Sequence, residues 1–282
     1  MRRRNDPPIV SRLMRHGLSR GLLAVVERIA LDAGRMAMKA SGTSRGATKR
    51  DGSWVTRTDR QIERHIRSRL HAILDARIYG EEEGWSGSHD ASHVAIVDPI
   101  DGTDAYRSLL PFWGVSVAVV ERVEGAWRPA AGIFHMPACG HTFVSRGRRS
   151  FWNGRPLRLR KRRSPVPATS YLGVSSDAHR WRLGGYPGKV RALGASGIHV
   201  AFVAAGLLHA ALLTRYYTYD IAGAALVLWG AGGGLYGLDG KPMTPAGLIA
   251  RVIDNPAAHA APVIACHPGN LADLMAIRAR PT

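Results

Sequence analysis

Cysteine is scarce in this sequence: the 282 residues include only Cys139 and Cys266, and no Cys-x-x-Cys pair occurs. Two cysteines are too few for a disulfide framework, and this usage fits a reducing compartment. With 45% hydrophobic and 21% charged residues, the chain also lacks the composition of a disordered protein. Its length suits one large domain or two smaller ones, each able to bury a core.

Long hydrophobic runs are missing as well. The basic start at Met1–Arg4 is typical of a signal-peptide n-region, but basic residues such as Arg12 and Arg15 interrupt the apolar segment that would have to follow. The longest apolar stretch, residues 198–213, contains two histidines and is short for a membrane span. We interpret it as a buried helix that runs into a strand, and we expect a cytoplasmic protein without a transmembrane segment.

Acidic residues are few, and two segments contain almost none. The chain holds 39 Lys and Arg against 21 Asp and Glu, for a net charge of +18. Residues 1–20 hold six Arg and one acid, and residues 146–163 hold nine basic residues and no acid. These two segments carry most of the excess charge, so the rest of the chain is nearly balanced. This distribution disfavours a protein whose whole surface binds nucleic acid.

Helices and strands are predicted to alternate along the chain. Apolar residues at a helical period predict one helix from Gly21 and a second one with Thr58 or Asp59 as its N-cap. β-branched runs between residues 93 and 145 predict strands, and Asn153-Gly154 predicts a hairpin turn. The alternation continues to the end of the chain, which predicts an α/β or α+β fold with layered sheets.

Three sequence regions are predicted. Residues 1–20 form a basic arm, residues 21–165 an N-terminal α+β half, and residues 166–282 a C-terminal α/β half. The boundary is placed near residues 158–167, a basic segment with two prolines.

The sequence Asp98-Pro99-Ile100-Asp101-Gly102-Thr103 carries the clearest chemical signal. Proline fixes the local backbone, so the two carboxylates and the carbonyl of Ile100 can converge on one point. Such an all-oxygen ligand set suits a hard divalent cation such as Mg²⁺. The residues after Gly102 can open a helix whose free N–H groups would face a phosphate. For an isolated Asp-x-x-Asp, a turn whose acids merely cap a helix is the alternative.

Three further acids are candidates to join this site. Glu81 begins a run of three glutamates after the apolar pair Ile78-Tyr79, so it can lie at the end of a strand beside Asp98; a solvated acidic face is the alternative. Asp220 stands before a small, apolar helix, and Asp59 precedes another predicted helix. Each of these two aspartates is either a site residue or a helix cap.

Together and in this order, these segments resemble the signatures of the inositol monophosphatase superfamily. Asp98–Thr103 matches its first signature and Tyr219–Gly223 its aromatic-Asp-x-Ala-Gly motif. Gly80-Glu81-Glu82 is similar to its Gly-Glu-Glu motif, Val55–Asp59 to its Val-Thr-x-x-Asp motif, and Gly194-Ala195-Ser196 also falls in family order. The resemblance covers roughly residues 21–270. It implies a Mg²⁺-dependent phosphomonoesterase with an α-β-α-β-α sandwich, often a homodimer and often lithium-sensitive.

The resemblance also implies which residues bind metal, with two to three Mg²⁺ ions per site. One ion would be bound by Glu81, Asp98 and the carbonyl of Ile100. A second would be bound by Asp98, Asp101 and Asp220, and a third, weaker ion would lie near Glu81.

The remaining family roles concern the attacking water and the substrate. Thr103, oriented by Asp59, would activate the water together with Glu81. The backbone amides of Gly102 and Thr103 would hold the phosphate. Further substrate contacts are expected from Ser196 and Asp220.

One departure from the family's pattern leaves more than one substrate class open. Inositol-specific members have a Glu seven residues before the second-signature Asp, whereas this chain has Leu213, which cannot accept a hydrogen bond from a ring hydroxyl. Arg215, Tyr216 and Tyr217 follow, and they would contact a more anionic or planar leaving group; surface loop residues are the alternative. Three substrate classes remain open: a cyclitol or sugar monophosphate, a 3′-phosphonucleotide such as adenosine 3′,5′-bisphosphate, and histidinol phosphate.

A non-enzymatic alternative is a nucleic-acid- or membrane-surface-binding protein that uses the two basic segments. The complete set of acids around Asp98, together with Thr103, disfavours it. We therefore expect a small phosphorylated substrate, a homodimer and no nucleic-acid partner.

Overall fold

A computed structural model describes residues 19–43, 46–48, 54–162, 164–256, 258–275 and 278–281. The predicted basic arm lies outside these residues except for its last two positions. In the described ranges, no helix combines the length and the apolar character needed to cross a membrane.

Two amphipathic helices open the described chain. Helix α1 (Arg20–Ala40) begins after Ser19, whose hydroxyl accepts a hydrogen bond from the Leu22 N–H at 3.2 Å. A short antiparallel ribbon of β1 (Gly46–Thr48) and β2 (Trp54–Thr56) follows. Helix α2 (Arg57–His71) comes next, and its apolar face is buried against the same layer as that of α1.

The predicted cap of α2 was wrong. The N-cap is Thr56, because Thr56 and Asp59 form a capping box: the Thr56 hydroxyl accepts from the Asp59 N–H, and the Asp59 carboxylate accepts from the Thr56 N–H at 2.8 Å. Asp59 is therefore the third helical residue, and Thr58 lies inside the first turn. The Val-Thr-x-x-Asp spacing fits this reciprocal cap better than either single-residue cap.

The larger sheet has eight strands. Their bounds are β3 (Ala76–Gly80), β4 (Gly84–Ser86), β5 (His93–Asp101), β6 (Gly114–Val123), β7 (Ala126–Met136), β8 (His141–Arg146), β9 (Arg149–Trp152) and β10 (Arg155–Leu157). The spatial order is β10-β9-β8-β7-β6-β5-β3-β4, and β3 runs parallel to β5. The predicted turn at Asn153-Gly154 is confirmed, since both residues have positive φ and join β9 to β10.

The strands that follow are β11 (Tyr171–Val174), β12 (Trp181–Gly184), β13 (Lys189–Arg191), β14 (Ala210–Leu213), β15 (Gly234–Gly237), β16 (Pro242–Met243), β17 (Val263–Cys266) and β18 (Arg278–Pro281). Six of them form a smaller sheet in the order β13-β11-β14-β17-β15-β16. The remaining helices are α3 (Thr103–Arg107), α4 (Ser196–Ala204), α5 (Thr218–Gly230), α6 (Pro245–Asp254) and α7 (Leu271–Met275). Strands β12 and β18 pair with each other.

Alternation along the strands builds the layers. In β6, Val117 packs in the cluster formed with α1 and α2, whereas Ala118 packs in the cluster formed with α4 and α5. In β14, Leu213 faces α4 and α5, whereas Leu212 packs with Leu274 of α7 on the opposite side of the smaller sheet. The order is helices, larger sheet, helices, smaller sheet, helix, so the predicted α-β-α-β-α sandwich is confirmed.

The interpretation of residues 198–213 is also confirmed, since α4 runs into β14 and both are largely buried. The predicted boundary near residues 158–167 falls between β10 and β11, where the described residues form no helix or strand. The division into two halves at that point stays a prediction.

Candidate active site

Two parallel strands bring the first two acids together. Gly80 at the end of β3 pairs with Val97 of β5 in parallel register. Since the carboxyl ends of parallel strands meet at the same sheet edge, the next residues, Glu81 and Asp98, lie side by side. The N–H of Glu81 donates to the carbonyl of Val97 at 3.2 Å. The glutamate run thus begins at the end of a strand beside Asp98, as the sequence predicts.

The end of β5 turns sharply after Asp98. The pairing of β5 with β6 shifts between Asp98 and Asp101, and Asp98 Oδ1 accepts the Ile100 N–H at 2.9 Å. Gly102 then caps α3 with a φ of 93°, and a Cβ there would lie 2.9 Å from the Cβ of Ala195. Only glycine fits this position, because the backbone is left-handed and the neighbour is close.

Asp101 connects this turn to the second half of the chain. Its two oxygens accept the backbone N–H groups of Ser196 at 3.1 Å and Gly197 at 2.7 Å, at the start of α4. The carboxylate therefore stabilises the positive end of that helix. Asp101 has only 5% of its surface exposed.

Asp220 reaches the same place from α5. It is the third residue of that helix rather than the residue before it, and its carboxylate accepts the Tyr217 N–H at 2.9 Å. Asp220 is thus the capping-box partner of the N-cap residue Tyr217, and its role as a site residue stays a prediction. Tyr219 packs beside it, with its ring centroid 5.8 Å from that of Tyr79 on β3.

Thr103 opens α3 and is half-buried. Its hydroxyl lies 3.1 Å from the carbonyl oxygen of Ile100 and 3.5 Å from Asp59 Oδ1. A hydroxyl has one hydrogen, so the shorter contact to Ile100 is the stronger one in this geometry. The predicted partner Asp59 is nevertheless next to Thr103, and its other oxygen is engaged in the cap of α2.

A cavity of about 470 Å³ unites the predicted residues. All of them except Asp59 line it, namely Glu81, Asp98, Ile100, Asp101, Gly102, Thr103, Ser196, Arg215, Tyr216, Tyr217 and Asp220. The sequence analysis missed six further polar lining residues: Asp104, Ser175, Ser176, Asp177, His199 and His259. Ser175 and Asp177 are the first and third residues after β11. Polar residues just after a strand are candidate site residues, and this position was the signal that could have revealed them. The two histidines carried no signal.

Burial and the neighbouring acids raise the pKa values of Asp98 and Asp101. The pKa of Asp98 lies well above its ordinary value, mainly because the carboxyl is removed from water and also because Glu81, Asp101 and Asp220 are close. Burial raises the pKa of Asp101 to about 7, although the N–H groups of Gly197 and Ser196 oppose the rise. Burial likewise raises the pKa of Tyr219, with Glu81 as the next cause.

This donor set fits a divalent cation. Several carboxylates converge here, and Arg215 is the one Lys or Arg among the described residues that line the cavity. The neighbouring carboxylate of Glu81 adds to the rise in the pKa of Asp98, so the two acids lie close together. Within the described ranges, no three His, Cys, Asp or Glu side chains already stand as a metal-ligand group. A bound cation would offset the mutual repulsion of these acids.

Without divalent ions, we expect stability to fall as pH rises. The pKa of Asp101 is about 7 in the folded chain and 3.8 as the ordinary value, so folding favours its protonated form. The contribution of Asp101 to the free energy of unfolding is complete below about pH 4 and is lost as the pH rises through about 7. This contribution is on the order of 4 kcal/mol. Thermal unfolding in EDTA from pH 5 to 8 measures it.

The matched variant is Asp101→Asn, which keeps the shape but cannot ionise. The melting temperature of the wild type should fall more steeply between pH 5 and 8 than that of the variant. Equal slopes would contradict the assignment of a raised pKa to Asp101.

The comparison with protein families identifies the family of this chain. The profile described as "Inositol monophosphatase family" matches residues 20–276. The chain belongs to the inositol monophosphatase family. It is a phosphoric monoester hydrolase.

Individual relatives fall into more than one substrate class. Over 240 residues the chain is 30% identical to an inositol-1-monophosphatase of Mesorhizobium japonicum. The aligned region covers 78% of this chain and 86% of the relative. Over 208 residues it is 30% identical to a histidinol-phosphatase of Streptomyces coelicolor, and the aligned region covers 69% of this chain and 77% of the relative. The solved structure of an IMPase of Thermotoga maritima covers 90% of this chain and 95% of its own at 22% identity, with a TM-score of 0.74. That last likeness shows the fold.

Proposed function

We propose that this enzyme hydrolyses a small phosphate monoester to an alcohol and inorganic phosphate with the help of Mg²⁺. The supporting observation is the convergence of Glu81, Asp98, Asp101 and Asp220 on one cavity. Such a cluster of acids would repel an anionic substrate unless cations offset its charge. The activity and the metal requirement are therefore linked by the same residues.

Two to three Mg²⁺ ions would be held by these four carboxylates and the carbonyl of Ile100. The bound ions would lower the pKa of a water molecule and stabilise the negative charge on the phosphate and the departing oxygen. Asp98 is central to the set, because Glu81, Asp101 and Asp220 all lie close enough to raise its pKa.

The other residues bind and orient. The carboxylate of Glu81 would take the proton of the attacking water, and the hydroxyl of Thr103, next to Asp59, would accept a hydrogen bond from that water and orient it. The N–H groups of Gly102 and Thr103, at the start of α3, would donate to the phosphate oxygens. Ser196 and Asp220 line the cavity and would contact the alcohol portion of the substrate.

A cyclitol or sugar monophosphate is the leading substrate class, and the relative from Mesorhizobium japonicum supports it. Histidinol phosphate is the second candidate, because the relative from Streptomyces coelicolor is equally identical. Asp177 favours this second candidate, since it lines the cavity and would attract the cationic amine of histidinol. A 3′-phosphonucleotide is the third, favoured by Arg215, which lines the cavity and would attract a second phosphate group.

A phosphate-release panel tests this proposal. EDTA-treated enzyme is assayed with inositol, sugar, histidinol and 3′-nucleotide phosphates, with and without added Mg²⁺. We expect release from at least one class and only with Mg²⁺. Release that is equally fast in EDTA would contradict the metal requirement. The absence of release from every class would contradict the proposal that the substrate is a small phosphate monoester.

Arg215 provides a test of the leaving group. It is exposed at the cavity wall, and its guanidinium makes no hydrogen bond or ion pair within the part of the chain that the structure describes. Arg215→Met should raise KM about fivefold for substrates whose leaving group carries a second anionic group, since an exposed ion pair contributes up to ~1 kcal/mol. KM for neutral leaving groups should not change. Equal effects on both kinds of substrate would show that Arg215 does not bind the second anionic group of the leaving group.

Three finer expectations belong to the same proposal. We propose a homodimer, inhibition by lithium ions and a cytoplasmic location, as the family resemblance implies. Gel filtration with light scattering and a lithium titration of phosphate release test the first two.

A further inference from the structure

Helix α2 carries a row of three charged side chains on its buried face. Asp59, Glu63 and Arg67 are spaced four residues apart, so they lie one above another along the helix. Asp59 and Glu63 are fully buried, and Arg67 has 7% of its surface exposed. Asp59 reaches Thr103, as described above. Glu63 and Arg67 have no part in the proposed mechanism, yet charged residues are almost never buried without a specific partner.

Glu63 binds the backbone of the turn that carries Glu81. Its Oε2 accepts the N–H of Glu82 at 2.7 Å, and its Oε1 accepts the N–H of Glu83 at 2.9 Å. These are the two residues directly after Glu81. Hydrogen bonds from N–H groups to a buried carboxylate are strong and directional.

Arg67 holds the Glu63 carboxylate in place. Its Nε and Nη2 donate to Glu63 Oε1 at 2.9 and 2.8 Å. The same guanidinium donates to Ser86 Oγ at 2.6 Å and to the carbonyl of Gly84, on the strand that follows the turn. The pair therefore fixes both ends of the segment from Glu82 to Ser86.

The backbone packs directly on this pair. A Cβ on Gly80 would lie 2.2 Å from Glu63 Oε1 and 2.7 Å from Arg67 Nη2, so glycine is required for the approach. On the other side of the turn, the N–H of Glu81 donates to Val97 of β5. The backbone that carries Glu81 is thus tied to β5 on one side and to α2 on the other.

We infer that Glu63, held by Arg67, is a positioning residue that sets Glu81 opposite Asp98 for metal binding. This inference rests on the proposed role of Glu81 as a metal ligand. A ligand held by a rigid backbone loses little freedom when the ion binds, so the pair raises Mg²⁺ affinity without touching the ion. Neither residue contacts the cavity, so their effect must pass through the turn.

Glu63→Gln breaks this arrangement with almost no change in shape. The new NH₂ group faces groups that can only donate, and Arg67 loses its counter-charge in a buried position. We expect Mg²⁺ binding, measured by titration calorimetry on the folded protein, to weaken about 10- to 100-fold. Glu63→Asp keeps the charge but is too short to reach both N–H groups, so it should weaken binding by a smaller factor.

Two readouts separate positioning from general stability. Hydrogen-exchange mass spectrometry of segment 80–86 in EDTA should show faster exchange in Glu63→Gln than in the wild type. The control is Ile66→Val on the same buried face of α2, which should lower thermal stability slightly and leave both Mg²⁺ affinity and segment 80–86 unchanged.

Glu81→Gln separates this inference from the proposed function. If Glu81→Gln weakens Mg²⁺ binding but neither Glu63 variant does, Glu81 is a ligand and the positioning role is wrong. If the wild type binds no Mg²⁺, the proposed function itself fails. If Glu63→Gln does not fold, Glu63→Asp is compared with the wild type instead. Wild-type Mg²⁺ affinity and unchanged hydrogen exchange of segment 80–86 in Glu63→Asp would overturn the inference.

Discussion

Asp98→Asn is expected to lower phosphate release at least ~10³-fold while the protein remains folded. Asp98 is 1% exposed at the centre of the acidic cluster, with Glu81, Asp101 and Asp220 all close enough to raise its pKa. In the proposed site it contributes to two metal positions, and the loss of several kcal/mol of charge stabilisation corresponds to a rate effect of this size. Asparagine has the same shape, and its carbonyl oxygen can still accept the Ile100 N–H.

The measurement is steady-state phosphate release at saturating Mg²⁺, with near-ultraviolet circular dichroism to confirm folding. Asp239→Asn is the matched control, because Asp239 is exposed on the turn between β15 and β16, away from the cavity. A folded Asp98→Asn enzyme that keeps more than about a tenth of wild-type turnover would contradict the central role of Asp98.

Thr103→Val is expected to produce the second-largest effect, a fall of ~10²-fold or more in kcat. Valine has the shape of threonine without the hydroxyl, so the variant removes the group that lies between Asp59 and the carbonyl of Ile100. Removal of a positioned acid–base group costs about 10²- to 10⁴-fold in rate.

Thr103→Ser is the matched variant, because it restores the hydroxyl and removes only a methyl group. We expect it to keep kcat within about tenfold of the wild type, and both variants to bind Mg²⁺ normally by calorimetry. Similar losses in the Val and Ser variants would show that the side-chain shape matters and that the hydroxyl does not act in the reaction.

Much of the site could be predicted because its residues are close in sequence to the ends of strands. Asp98, Asp101 and Gly102 share one short segment whose local chemistry allows few conformations. Glu81 could be placed beside them because it follows a second apolar strand. The strong pattern of β-branched alternation in β5 and β6 also made the layered fold predictable.

The caps and the supporting residues could not be predicted in the same way. A single-residue cap and a capping box look alike in Val55–Asp59 until the geometry of Thr56 is known. Glu63 and Arg67 have the residue types of a solvated helix face, and the sequence gives no distance to the turn at Glu82. Their spacing from Asp59, on the same face as Ile62 and Ile66, was the signal that could have revealed them.

The lining residues Ser175, Asp177 and His259 come from the smaller sheet and the segments around it, far along the chain from Asp98. Long-range packing alone brings them to the cavity. Thr214 illustrates this: its hydroxyl donates to Asp177 and its N–H to the Ser175 hydroxyl at 3.1 Å, so β14 orders the segment after β11. No local pattern in either segment indicates this contact.

The central claim is that Glu81, Asp98, Asp101 and Asp220 together bind divalent cations. Crystals grown with Mn²⁺ in place of Mg²⁺, measured at the manganese absorption edge, test it most directly. We predict at least two anomalous peaks within about 2.5 Å of oxygens of these residues. The absence of peaks there, at a Mn²⁺ concentration that supports phosphate release, would contradict the account.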